Sequence, residues 1–123
     1  MAGPAEPVVW VIDAEQWPRA CLRAELIERG LDAVGYTETL PALVALHHPR
    51  TTKPQVIVLE LRGQHMKKES LGALARSGVP VIILGGAAEL REPVVNEFDW
   101  AAVMRRPFTI GAVADKVEEL ARR

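Results

Sequence analysis

The sequence predicts an α/β domain: a doubly wound, five-stranded parallel sheet with helices on both faces. Three observations lead there. Residues 8–12 (VVWVI), 55–61 (QVIVLEL) and 80–84 (PVIIL) are apolar, largely β-branched runs of the kind that form strands buried on both faces. Stretches with helical spacing of apolar residues, closed by Gly or Pro, separate them. The hydrophobic share is 49% but aromatics are only 5%, so the core must be built from Val, Leu, Ile and Ala, which suits helices packed on a sheet.

Taken in order, β1 spans residues 8–12 and ends at Asp13. The next element, α1, covers residues 16–29, with Pro18 in its first turn, Gly30 as its left-handed stop, and Trp17, Cys21, Ala24 and Ile27 as its inward face. Residues 32–36 form β2. Thr39 is the expected N-cap of α2, with Pro41 in the first turn and Leu43, Val44 and Leu46 facing inward; residues 49–54 close it. Residues 55–61 are β3, with Glu60 near its carboxyl end, and residues 62–68 are a polar loop. A short α3 covers 69–76, with Leu71 and Leu74 inward and Gly78 as stop. Residues 80–84 form β4, followed by Gly85-Gly86 and by α4 over 87–98, interrupted at Pro93. Residues 101–104 form β5. Thr109 caps α5, whose inward line is Ile110, Val113, Val117, Leu120 and Ala121. Strands that alternate with helices pair in parallel, because each right-handed crossover returns the chain to the same end of the sheet.

At 123 residues the chain is expected to be one domain, residues 1–123, with residues 1–7 a flexible Pro-rich arm. Fifteen Lys and Arg against sixteen Asp and Glu leave a net charge of -1, which offers no general attraction for nucleic acid or an anionic membrane. No apolar run approaches the length of a membrane span. Cys21 is the single cysteine, so neither an internal disulfide nor a thiolate metal cluster can form, and a cytoplasmic setting is expected.

In a doubly wound sheet, functional groups gather at the carboxyl ends of the strands. Here those ends carry Asp13, Glu15, Glu60, Gly85 and Arg106. The succession V-I-D-A-E, V-I-V-L-E-L, P-V-I-I-L-G-G and M-R-R-P-F resembles, over nearly the whole chain, the receiver domain of bacterial response regulators. The resemblance implies a flavodoxin-like, receiver-like fold and a place in two-component signal transduction. It also implies a role for each position. Asp13 falls on the first of two magnesium-binding acids, and Ala14 on the second. Glu60 falls on the phosphoacceptor aspartate, Gly85 on the Thr or Ser that contacts the phosphoryl group, and Arg106 on the lysine before a proline. The aromatic that often precedes that lysine falls on Val103. Family members commonly have a cis peptide between the lysine and the proline. With the second acid and the hydroxyl missing, the resemblance is to a degenerate receiver, or pseudo-receiver.

The other noticeable residues have ordinary explanations. Glu60 and Arg106 are expected to pair, as a carboxylate and a guanidinium at one sheet end readily do. His47-His48 and His65 read as solvated surface, since neighbours on a helix diverge by about 100° and no further ligand lies close. Cys21 reads as a small core hydrophobe. Gly85-Gly86 lacks the Lys-Ser/Thr that a phosphate loop needs. Arg105-Arg106 and Arg122-Arg123 read as solvated cations. Trp10 belongs to the core, whereas Trp100, Val103 and Phe108 lie beside the α4, β5 and α5 face through which receivers contact partners. The expectation is therefore a non-enzymatic module with no catalytic residue, metal or cofactor, acting on a kinase, an output domain or a second copy of itself. Two alternatives stand beside it: a small-molecule or nucleotide sensor at the crevice near Asp13, Gly85 and Arg106, and a weak phosphoacceptor using Glu60 or Asp13.

Overall fold

The computed structural model describes residues 7–122; the expected arm, apart from Pro7, and Arg123 lie outside the described residues. The strands are β1 (Val8–Ile12), β2 (Asp32–Tyr36), β3 (Val56–Glu60), β4 (Val81–Gly85) and β5 (Ala102–Arg105). They form one sheet in the order β2-β1-β3-β4-β5, and every pairing is parallel. The helices are α1 (Gln16–Glu28), α2 (Thr39–His47), α3 (Lys68–Ala75), α4 (Ala87–Leu90) and α5 (Ile110–Ala121). Gly30 and Gly78 both adopt positive φ just beyond helix ends, where a Cβ would be strained. Bounds elsewhere differ from the sequence reading by about one residue, as for α3 and β4.

Strand alternation divides the apolar runs between two cores. Val9, Val11, Val58, Ile82 and Leu84 face α1 and α5, meeting Leu22, Leu26, Val113 and Val117. Trp10, Ile12, Ile57, Leu59 and Ile83 face the other side, meeting Ala42, Leu46, Leu71 and Leu74. This two-sided burial is what the uninterrupted apolar runs required.

The face of α1 differs from the expected one. Leu22 and Leu26 point inward, while Trp17 is 78% exposed, Ile27 and Ala24 are also exposed and Cys21 is only half-buried. The helix carries two apolar arcs, and polar anchors decide between them. Arg19 Nη1 donates to the Asp13 carbonyl at 2.8 Å and Arg23 Nε to the Ala33 carbonyl at 3.1 Å, so the arc flanked by these arginines must face the sheet. Arg29 ties the far end of α1 to α5, with Nη1 2.6 Å from Asp115 Oδ1.

Two further elements depart from expectation. In α2, Glu38 rather than Thr39 is the N-cap, and Ala42 replaces Val44 on the inner face, giving Thr39, Ala42, Leu43 and Leu46 at regular i, i+3, i+4, i+7 spacing. The expected twelve-residue α4 stops at Leu90 and resumes only as a 3₁₀ turn at Val95–Glu97. Pro93 lacks an N–H and clashes with the carbonyl four residues back. Asn96 Nδ2 then takes up the freed carbonyls of Leu90 and Glu92 at 3.0 and 3.3 Å.

Thr109 caps α5 as expected, its Oγ1 accepting from the Ala112 N–H at 3.0 Å. Thr109→Ala is expected to cost about 1 kcal/mol, read as a lower urea midpoint at unchanged slope. The sheet edges are β2 and β5. Arg23 covers part of the first; β5 is four residues long and leaves Val103 53% exposed.

Candidate functional site at the carboxyl ends of the strands

β1 lies between β2 and β3, so the direction of winding reverses beside it and a crevice opens at the carboxyl ends of β1 and β3. Asp13 follows β1 and Glu60 ends β3, and both are buried, at 6% and 3% exposure. Two buried carboxylates this close require partners.

Glu60 has them. Arg106 Nη1 donates to Oε1, Arg106 Nη2 donates to Oε2 at 3.1 Å, and the Arg62 backbone N–H donates to Oε2 at 3.0 Å. The guanidinium thus grips both carboxylate oxygens, the bidentate geometry that only arginine offers. Its Nη2 also lies 3.2 Å from Glu89 Oε1, which in turn accepts from the Gly86 N–H at 2.9 Å. The bond to Glu60 raises the Arg106 pKa above its ordinary value, against a smaller opposing effect of burial, so the charge is permanent. The Phe108 ring centroid lies 5.6 Å from the guanidinium carbon. The Arg106-Pro107 peptide is cis.

Asp13 is held differently. Its Oδ1 accepts from the Glu15 N–H at 2.9 Å, and the nearest cationic atom, Arg62 Nη2, is 3.9 Å away. Arg62 Nε approaches Glu15 Oε1 to 3.1 Å, yet its N–H is not aimed at that oxygen. Burial raises the Asp13 pKa above 3.8; the Glu15 N–H opposes this and the Glu60 charge adds to it. The folded state therefore holds the Asp13 proton more tightly than the unfolded chain does. Stability falls as pH rises from 3.8 through the raised folded value, and the loss persists above it. Asp13→Asn, which keeps an acceptor for Glu15, is expected to stabilise the protein at about pH 7 and to change nothing at about pH 3, by urea denaturation at both.

Ala14 is exposed and contributes no donor atom; a Cβ on Gly63 would lie 2.9 Å from the Ala14 Cβ, so the two loops meet tightly there. Gly85 ends β4, where a Cβ would meet Leu90 at 3.2 Å. Asp13, Glu60, Arg62 and Arg106 line a cleft of about 160 Å³ between the starts of α1 and α5. A second groove of about 250 Å³ lies between Glu38–Leu40 and the loop from Gly63 to Ser70.

The three residues expected at an interaction surface do not share one environment. Val103 is open to solvent. Trp100 is partly buried, its Nε1 donating to the Val95 carbonyl at 2.8 Å and its ring edge-on to Phe98. Phe108 is half-buried against the α5 core. His47, His48 and His65 are all exposed, and among the described residues no three His, Cys, Asp or Glu side chains converge on one point. Sequence reasoning missed Arg62 and Glu89. The signals were present: Arg62 lies two residues beyond Glu60, so its N–H can close back on that carboxylate, and Glu89 is third after Gly86, where a carboxylate caps a short helix.

No family model matches this sequence, and no curated protein matches it. Its similarity is to solved structures. A response regulator receiver protein from Pseudomonas putida superposes with a TM-score of 0.77 at 23% identity, over 95% of this chain and 99% of that one. One from Burkholderia phymatum gives 0.78 at 24% identity, over 95% and 96%. The receiver domain of a Francisella response regulator gives 0.75 at 22%, over 96% and 98%. The chain has the receiver-domain fold.

Proposed function

We propose that this chain is a degenerate receiver, a non-enzymatic signalling module of the bacterial cytoplasm that acts by protein contact and without regulated phosphorylation. The observation that carries this reading is the bidentate grip of Arg106 on Glu60. A phosphoacceptor needs a free carboxylate oxygen, a hydroxyl or amine on the incoming phosphoryl group, and a divalent ion held by at least one or two carboxylates to neutralise charge. At the matching positions stand an engaged glutamate, Gly85 without a side chain, and Ala14. A magnesium ion does not fit this donor set, because Glu60 is already bound on both oxygens and Asp13 remains as a lone acid. The contact face we assign is α4, β5 and α5, with Val103 its most exposed apolar side chain, and the partner is a kinase, an output domain or a second copy.

The test is incubation with acetyl phosphate, or with beryllofluoride, in the presence of Mg²⁺. The intact mass is expected to stay unchanged, as are the amide shifts around Glu60. Stoichiometric mass gain, or shifts centred on Glu60 or Asp13, would overturn the proposal in favour of a working phosphoacceptor.

A further inference from the structure

We propose that the cleft between the starts of α1 and α5 binds a small, neutral, planar molecule that presents an N–H beside a C=O, a lactam of pyrimidine size. This goes beyond the signalling role and does not rest on it. The cleft measures about 160 Å³. An apolar cavity of about 150 Å³ takes up one benzene ring, so a single six-membered ring fills this half-open cleft. Leu22, Leu84 and Val113 form its back wall; Pro18, Phe108 and Ile110 form its sides and mouth. Such walls favour a flat, weakly polar body.

The polar groups set the rest. The four charged side chains on the cleft, Asp13, Glu60, Arg62 and Arg106, sum to zero, which gives no net attraction for an anion or a cation. Glu60 and Arg106 saturate one another. Asp13 and Arg62 do not. Asp13 is more than nine-tenths buried, yet its Oδ2 has no hydrogen-bond partner among the described residues, and the 3.9 Å from Arg62 Nη2 to Asp13 Oδ1 is too long for a hydrogen bond. The Arg62 guanidinium is ion-paired with Glu15, its Nε 3.1 Å from Oε1, but makes no well-aimed hydrogen bond within the described residues. An acceptor and a donor therefore stand side by side at the cleft. The tight meeting of Ala14 and Gly63 fixes the two loops that carry them. A carboxylate ligand would face Asp13, and an ammonium or guanidinium would face two arginines. A lactam edge gives its N–H to the free Asp13 oxygen and accepts from the partly exposed Arg62 guanidinium, so each gains a partner.

The test is a titration of the full chain, followed by amide chemical shifts, with uracil, acetate and methylguanidinium as separate probes. Uracil is expected to give saturable shifts centred on Leu22, Leu84 and Val113, with a dissociation constant on the order of 1 mM or tighter. Asp13→Ala should weaken it at least about tenfold. Ile110→Trp, at the partly exposed mouth, should block the cleft while leaving the rest of the spectrum intact, and keeps the test valid should Asp13→Ala misfold. The proposal fails if uracil gives no saturable shift. It fails equally if uracil binds both variants like the parent, or if acetate or methylguanidinium occupies the cleft as well as uracil does.

Discussion

Trp10→Ala is expected to cost about 3–5 kcal/mol, enough to leave a domain of ordinary stability largely unfolded in mild denaturant. Trp10 is only 1% exposed at the middle of β1, with both neighbouring strands paired to it and the Tyr36 ring centroid 4.9 Å away. Strands on both sides prevent the sheet from closing over the cavity, so the loss includes both transfer and void. Trp17→Ala, at the opposite extreme of exposure, should stay within about 0.5 kcal/mol. Urea denaturation of the two variants side by side checks the assignment of core and surface tryptophans, and equal losses would show that α1 faces the other way.

Removal of the guanidinium at position 106 is the second large effect. Arg106→Met leaves the Glu60 carboxylate almost without water and without its bidentate partner; breaking a buried pair in this way costs about 3–5 kcal/mol. The Arg106 side chain is itself 30% exposed, so water can enter where it was, and a loss of about 2–3 kcal/mol is expected. Glu60→Leu combined with Arg106→Met removes both charges and should recover most of that loss, giving a coupling energy of about 2 kcal/mol in a double-mutant cycle. A pair whose two single losses simply add would mean that Glu60 and Arg106 do not depend on one another.

The sheet was legible because runs such as VVWVI and VIVL have no polar position that could face water; only a strand covered on both sides can use them. The helix faces were less legible. In α1 both the Trp17, Cys21, Ala24, Ile27 arc and the Leu22, Leu26 arc have helical spacing, and apolarity does not separate them. The choice falls to Arg19 and Arg23, whose targets are carbonyls of the sheet, and those contacts exist only once the sheet is assembled. The break in α4 was visible at Pro93, but not that the helix would end three residues earlier. At the site, the Glu60 to Arg106 pair followed from charge and strand position. The parts played by Arg62 and Glu89 did not, because each acts through a backbone N–H or a second arginine contact that depends on how the loops turn.

The two sheet edges differ in a way that bears on assembly. The β2 edge has one carbonyl, that of Ala33, engaged by this chain's own Arg23, while β5 is only four residues long. An edge that is short or partly engaged offers a smaller template for strand addition. Two copies joined edge to edge at β5 would leave only their partly guarded β2 edges. Growth beyond that dimer would have to displace Arg23 from the Ala33 carbonyl.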